Sequence, residues 1–278
     1  MSDILQDLSA PALVHSIEAN LTNALVTNLH AHIPLYSRLP GAILCDEPEL
    51  LALLCDLDPS ENHVYRVDYS PEQASEKIEQ VLQRYRSQGC LPMLWQVGPS
   101  TRPTDLGKYL EAQGFSHVAR VPGMAVALQD LARQSAWPGR LVVERVSNST
   151  QLMQWTEIVA DADRISESLK RSFYQMFGGQ GFGPETPWLL FMGTVNGQPV
   201  ATSRLFCAGG VAGIYHVATV PQARGQGFGT AMTLAAAHAG RELGYHVGVL
   251  YASSAGYGVY RRLGFQEYCH IDVFKSPE

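Results

Sequence analysis

The segment Ala223-Arg-Gly-Gln-Gly-Phe-Gly-Thr230 constrains this chain more than any other. It follows an apolar stretch, 213–220, that reads as a strand, and it precedes an alanine-rich run to Leu243 that reads as a helix closed by Gly244. Glycines at 225, 227 and 229 let backbone pass close to a ligand, and the first turn of a helix carries amides without internal acceptors at the positive end of the helix dipole. Such a junction is a ready anion cradle. The same glycines also suit a tight strand-to-helix turn that holds nothing, so the neighbouring sequence has to decide. A nucleoside-triphosphate loop needs a lysine before its Ser or Thr, and here Gly229 is followed directly by Thr230. A dinucleotide fingerprint needs a third glycine where Thr230 stands and a carboxylate on the next strand, yet 246–252 has none.

The rest of the chain reads as two α/β halves. In the second, a strand starts at Leu141, helices fall within 149–177, and 178–184 is a glycine-rich flexible connection. Strands at 188–195 and 199–206 are joined by Asn196-Gly197, the strongest hairpin signal present. After the glycine loop come a strand at 246–252, a helix at 256–263 and a strand at 265–274. In the first half a helix is expected at 11–29, an apolar segment at 47–56 and a strand at 62–69. Ser70 then caps a helix to Tyr85 that carries Ala74, Ile78, Val81 and Leu82 on one face. A strand at 92–97, a loop at 98–103, a helix at 105–113 stopped by Gly114 and an extended stretch at 115–128 follow. The pattern breaks at 134–139, a linker, which divides the chain into 1–132 and 140–278. Residues 106–115 and 256–265 are both short helices ended by Gly-Phe before a strand, which hints at two copies of one fold.

Two motifs in the second half, taken together, resemble a known family. Arg224-Gly-Gln-Gly-Phe-Gly229 is similar to the Q/R-x-x-G-x-G/A pyrophosphate loop of the GNAT superfamily of N-acetyltransferases. Val259-Tyr-Arg-Arg-Leu-Gly-Phe265 is similar to that family's second signature, a tyrosine-bearing helix ended by Leu-Gly-Phe. The resemblance spans about 141–274 and implies a mixed α/β sheet of the GNAT acyltransferase type. With the Gly-Phe echo it implies two tandem copies, the first degenerate and without an R-x-x-G-x-G loop. It further implies acetyl-CoA, or another acyl-CoA, in a cleft where the strands from Gly213 and His246 splay apart. Backbone groups of Val217, Ala218 and Thr219 would meet the pantetheine, and amides of Arg224, Gly225, Gln226, Gly227, Phe228, Gly229 and Thr230 the pyrophosphate. Ser253 stands where the family often has a cofactor-binding asparagine. Tyr260 holds the place of the general acid, which suits a phenol that stays protonated at neutral pH; as a packing residue it would instead be a core tyrosine with a bonded hydroxyl.

The base is not legible. The family's usual position falls on Gly213. Tyr215 shares that face by strand parity, and His216 points the other way as a structural residue. Asp161, Asp163 and Glu167 read as solvated charges or helix caps, and a water chain needs no dedicated base. Phe173, Tyr174, Phe177, Phe182 and Trp188 fit either a core or an apolar wall at the acceptor site. The expected activity is acyl transfer to the amine of a small molecule, and the competing reading is a non-catalytic acyl-CoA-binding module.

Composition removes other classes. A net charge of −6 argues against nucleic-acid or anionic-membrane binding. No apolar run is long enough to span a bilayer, and residues 1–7 lack the features of a signal peptide, so a cytoplasmic protein, monomer or homodimer, is expected. Five scattered cysteines, 45, 55, 90, 207 and 269, read as buried thiols. His30 and His32, two apart with no ligands nearby, do not suggest a metal site.

Overall fold

In the computed structural model, residues 11–132, 137–183 and 185–277 are described, with side chains from Asn20 onward. The described residues form eleven strands: β1 Ile43–Glu47, β2 Leu50–Leu54, β3 His63–Val67, β4 Leu94–Val97, β5 Ser116–Ala127, β6 Leu141–Arg145, β7 Trp188–Val195, β8 Gln198–Ala208, β9 Val211–Thr219, β10 Val247–Tyr251 and β11 Gln266–Lys275. The helices are α1 Pro11–His32, α2 Pro71–Ser87, α3 Leu106–Ala112, α4 Ser149–Asp163, α5 Glu167–Gly178, α6 Phe228–Glu242 and α7 Ser254–Arg262. Short 3-10 turns cover Ile33–Arg38 and Pro59–Glu61.

All strands join one mixed sheet in the order β1-β2-β3-β4-β11-β5-β10-β9-β8-β7-β6. The series β3-α2-β4-α3-β5 of the first half recurs as β9-α6-β10-α7-β11 in the second, so the fold is two tandem copies. In both copies the first two strands of that series run parallel and pair at only two positions: His63–Leu94 and Val64–Trp95, then Gly248–Ala212 and Val249–Gly213. The Gly-Phe echo is also structural. Gly114 and Gly264 close α3 and α7 with φ of 85° and 95°, a conformation that suits glycine, and Phe115 and Phe265 enter the core just after them. The last strand of each copy is exchanged, β5 pairing with β10 and β11 inserting between β4 and β5.

Several expected boundaries shift. The first helix runs on to His32, past Leu29. The apolar segment at 47–56 belongs to a β1–β2 hairpin, in which every residue of β2 is buried. Leu50, Ala52 and Leu54 pack against α2 and its neighbours, and Leu51 and Leu53 against the opposite core with Trp155 and Phe177. Burial on both faces is why this strand shows no polar alternation. Asn196 and Gly197, with φ of 51° and 77°, form the expected β7–β8 turn. The final helix starts at Ser254 because the Ser253 hydroxyl accepts the Gly256 amide at 3.2 Å. Residues 134–136 of the expected linker and Pro184 of the glycine-rich connection lie outside the described residues.

Candidate functional site

Beyond Gly213 the edges of β9 and β10 part. On its other side β9 stays paired with β8 as far as Ala201–Thr219. Backbone groups of Val217, Ala218 and Thr219 therefore lie beyond the last β9–β10 pair, on the stretch that leads into the glycine loop. Gly225 and Gly227 have φ of 76° and 82°. Gly227 is the N-cap of α6 and has no side chain to cap it. Among the described residues no acceptor meets the amides from Gly225 to Thr230, while Arg224 N bonds to Pro221 O and Ala231 N to Gly227 O. A Cβ at Gly225 would meet no atom within 4 Å, and one at Gly229 only Thr219 Oγ1 at 3.9 Å. A Cβ at Gly227 would touch Pro138 at 3.6 Å. Six consecutive donors without acceptors at a positive helix end fit a pyrophosphate.

The other expected cofactor contacts divide. Phe228 turns its ring into the core and can offer only its amide. The Arg224 guanidinium is tied back, Nε donating to Thr219 O at 3.1 Å. The Ser253 hydroxyl already caps α7. Tyr260 lies one turn above Gly256, close enough that a Cβ at Gly256 would fall 3.2 Å from its hydroxyl. Its ring packs on Phe265, its hydroxyl forms no hydrogen bond among the described residues, and burial pushes its pKa up to about 12. It therefore carries its proton at any neutral pH.

A β-bulge corrects the reading of His216. Three steps of β9, from Tyr215 to Ala218, span two steps of β8, from Arg204 to Thr202, and His216 takes a φ of 47°. The extra residue breaks strand parity, so His216 does not turn away from the Tyr215 side. Its Nδ1 is 3.9 Å from Asp163 Oδ2, its Nε2 is 3.5 Å from the Tyr36 hydroxyl, and Trp155, Phe173 and Phe177 stand edge-on to its ring. Burial, with the Arg204 charge behind it, lowers its pKa and keeps the imidazole neutral, an effect that the Asp163 carboxylate opposes. Tyr215 donates to Asn28 Oδ1 at 2.6 Å, while the Asn28 amide donates to Phe206 O and Ala208 O. Tyr215 is thus fastened to α1, and burial keeps its phenol protonated, so it is no base. Gly213 must lack a side chain for that contact, since a Cβ would run into Asn28 and the Tyr215 ring.

Asp161 is exposed on α4, and Glu167 is paired with Lys170 at 2.8 Å. Only Asp163 among the acids considered reaches the cluster. Phe173, Phe177 and Trp188 are buried, and Tyr174 and Phe182 are half-buried against the same core. Sequence reading missed the first half's contribution: Tyr36 from the turn after α1, and the Pro59–Glu61 turn, where Asp58 receives the Ser166 amide at 2.8 Å. It also missed Arg204, for which one signal existed, a charge inside the apolar strand Val200-Ala-Thr-Ser-Arg-Leu-Phe206. All five cysteines are free thiols, four of them buried, and among the described residues no three potential metal ligands converge. No helix there is long and apolar enough to cross a membrane.

A parted pair of parallel strands, a glycine loop of free amides and a tyrosine-bearing helix thus stand in sequence in the second half. Residues 187–267 match the family model described as acetyltransferase (GNAT) domain. Solved structures extend the likeness in fold to both halves. A GCN5-related N-acetyltransferase from Kribbella flavida is 21% identical with a TM-score of 0.69, over 91% of this chain and 96% of its own. One from Sphaerobacter thermophilus is 17% identical with a TM-score of 0.57, over 89% and 93%. A tandem GNAT protein from the clavulanic acid biosynthesis pathway is 14% identical with a TM-score of 0.57, over 86% and 85%. No curated protein matches the sequence.

Proposed function

We propose that 140–278 is an acyl-CoA-dependent N-acyltransferase domain, with acetyl-CoA as acyl donor, and that 1–132 is a degenerate copy without a cofactor loop. The observation that carries this is the run of unmatched amides from Gly225 to Thr230 beside the parted edge of β9. Those amides would hold the pyrophosphate, and Val217, Ala218 and Thr219 the pantetheine. In the first copy α2 begins with Pro71 directly after Ser70, so the matching helix start has a proline ring in place of a glycine cradle. When bound, acetyl-CoA supplies a thioester carbonyl open to attack by an amine.

The chain supplies the proton chemistry. Tyr260 keeps a proton on its phenol that it can give to a departing thiolate, because burial holds its pKa far above neutrality. His216 is the proton acceptor in this reading: neutral, beside the parted strand, and with Asp163 facing Nδ1 to stabilise the imidazolium once formed. Free-thiol release from acetyl-CoA over a panel of amines tests the reading. Release above background that falls in both Tyr260→Phe and His216→Gln supports it. Acetyl-CoA binding with no release from any amine would favour the binding module.

A further inference from the structure

Arg204 lies at the centre of β8, opposite Tyr215 and next to the bulge, and is 1% exposed. Its guanidinium is sandwiched between the rings of Tyr215, 4.9 Å away, and Phe177, 5.8 Å away. Nη1 donates to the Tyr36 hydroxyl at 3.3 Å, and Nε is sealed from solvent without an acceptor. No carboxylate stands within 4.0 Å of it among the described residues, although a guanidinium has five N–H groups to satisfy. A permanent charge buried without a counter-ion is heavily penalised, and the aromatic faces offset only part of that. The neighbouring acids do not neutralise it. Burial and the Asp58 charge, against the opposing pull of Arg204, push the half-buried Glu61 up to about 8, which favours its neutral form near pH 7. No Glu61 oxygen lies within ion-pair distance of the guanidinium, and Asp163 is turned to His216.

We propose that Arg204 receives a carboxylate carried by the acceptor, so that the acceptor is an amino acid or a molecule with the same close amine–carboxylate pair. The assignment of the amine rests on the acyl-transfer reading above. One oxygen, the Tyr36 hydroxyl, bridges Arg204 Nη1 and His216 Nε2, so a ligand reaching both must be short. An α-amino acid meets that demand, its carboxylate on Arg204 and its amine toward His216. A phosphate dianion fits less well, because the site has a single guanidinium and its other charged neighbours, Asp58 and Asp163, are acidic.

The test uses the full wild-type chain and acceptors in matched sets: an amino acid, its amide and its decarboxylated amine. Thiol release from acetyl-CoA is one readout and thermal stabilisation by the acceptor the other. Amino acids are expected to show kcat/KM about a hundredfold or more above their decarboxylated partners, as for loss of one member of a buried charge pair, and Arg204→Met is expected to erase that preference. Equal kcat/KM across the sets would overturn the carboxylate assignment and leave acyl transfer standing. Carboxylate-dependent stabilisation that Arg204→Met abolishes, with no thiol released from any acceptor, would uphold the anion site and overturn the transfer reading. A preference for succinyl-CoA over acetyl-CoA that depends on Arg204, with acceptors not discriminated, would place the carboxylate on the acyl group and overturn the proposal. Failure of every acceptor in both readouts would overturn both readings. Should Arg204→Met not fold, the matched wild-type sets decide alone.

Discussion

Expressing 140–278 without the first half removes both partners of β11, which pairs only with β4 and β5, and strips β5 from β10 along Val247–Ala127 to Tyr251–Gly123. Ile271, Val273 and Phe274 are each under a tenth exposed in the full chain and would lose much of their cover, Phe274 leaving a core shared with Trp95 and Phe115. At roughly 1.5–3 kcal/mol per fully buried apolar side chain, about 5–9 kcal/mol is at stake, an upper estimate because the unfolded chain is not fully extended. That matches the whole net stability of an ordinary domain, about 5–15 kcal/mol. The expected outcome is a fragment that shows no cooperative urea transition and aggregates, and that regains a single transition and one acetyl-CoA site when co-expressed with 1–132. A fragment that unfolds cooperatively at the midpoint of the full chain would refute the view that exchanged strands bind the halves into one unit.

Tyr260→Phe is expected to lower kcat about a hundred- to ten-thousandfold, the range for a lost general acid, while acetyl-CoA affinity measured by calorimetry stays put. Unchanged turnover would make Tyr260 a packing residue. Glu61 has a folded pKa raised from 4.5 to about 8, so the folded state holds the extra proton, and stability should fall as pH rises between those values. Glu61→Gln should flatten that slope in denaturant titrations, and parallel pH profiles for the two proteins would count against it. Arg224→Ala is expected to weaken acetyl-CoA binding only mildly, because its side chain already serves the Thr219 carbonyl, and a large loss of affinity would show that it turns to the phosphates instead.

The elements of the proposed cofactor site were legible in the sequence because they are local: a strand, a glycine loop and a helix in continuous order determine where free amides point. The tandem fold was legible for the same reason, through the helix, glycine and phenylalanine shared by α3 and α7. The cluster around Arg204 and His216, proposed to face the acceptor, was not, because it is assembled from segments far apart in sequence. Tyr36 meets Arg204 and His216 across 168 and 180 positions. Strand parity misplaced His216 because one inserted residue at a bulge reverses every facing beyond it, and no residue type there announces a bulge. The strand exchange was equally hidden, since β5 and β11 look alike in pattern and only the assembled sheet distinguishes their partners.

Titration of acetyl-CoA into the full chain, wild type beside Gly229→Val, tests the central claim most directly. A Cβ at Gly229 has room in the free protein, where it meets only Thr219 Oγ1 at 3.9 Å, and Gly229 needs no unusual φ, unlike Gly225 and Gly227. One molecule is expected to bind per chain in the wild type, with affinity strongly reduced in a variant that melts like its parent. Two molecules per chain, no binding to the wild type, or undiminished affinity in the folded variant would contradict it.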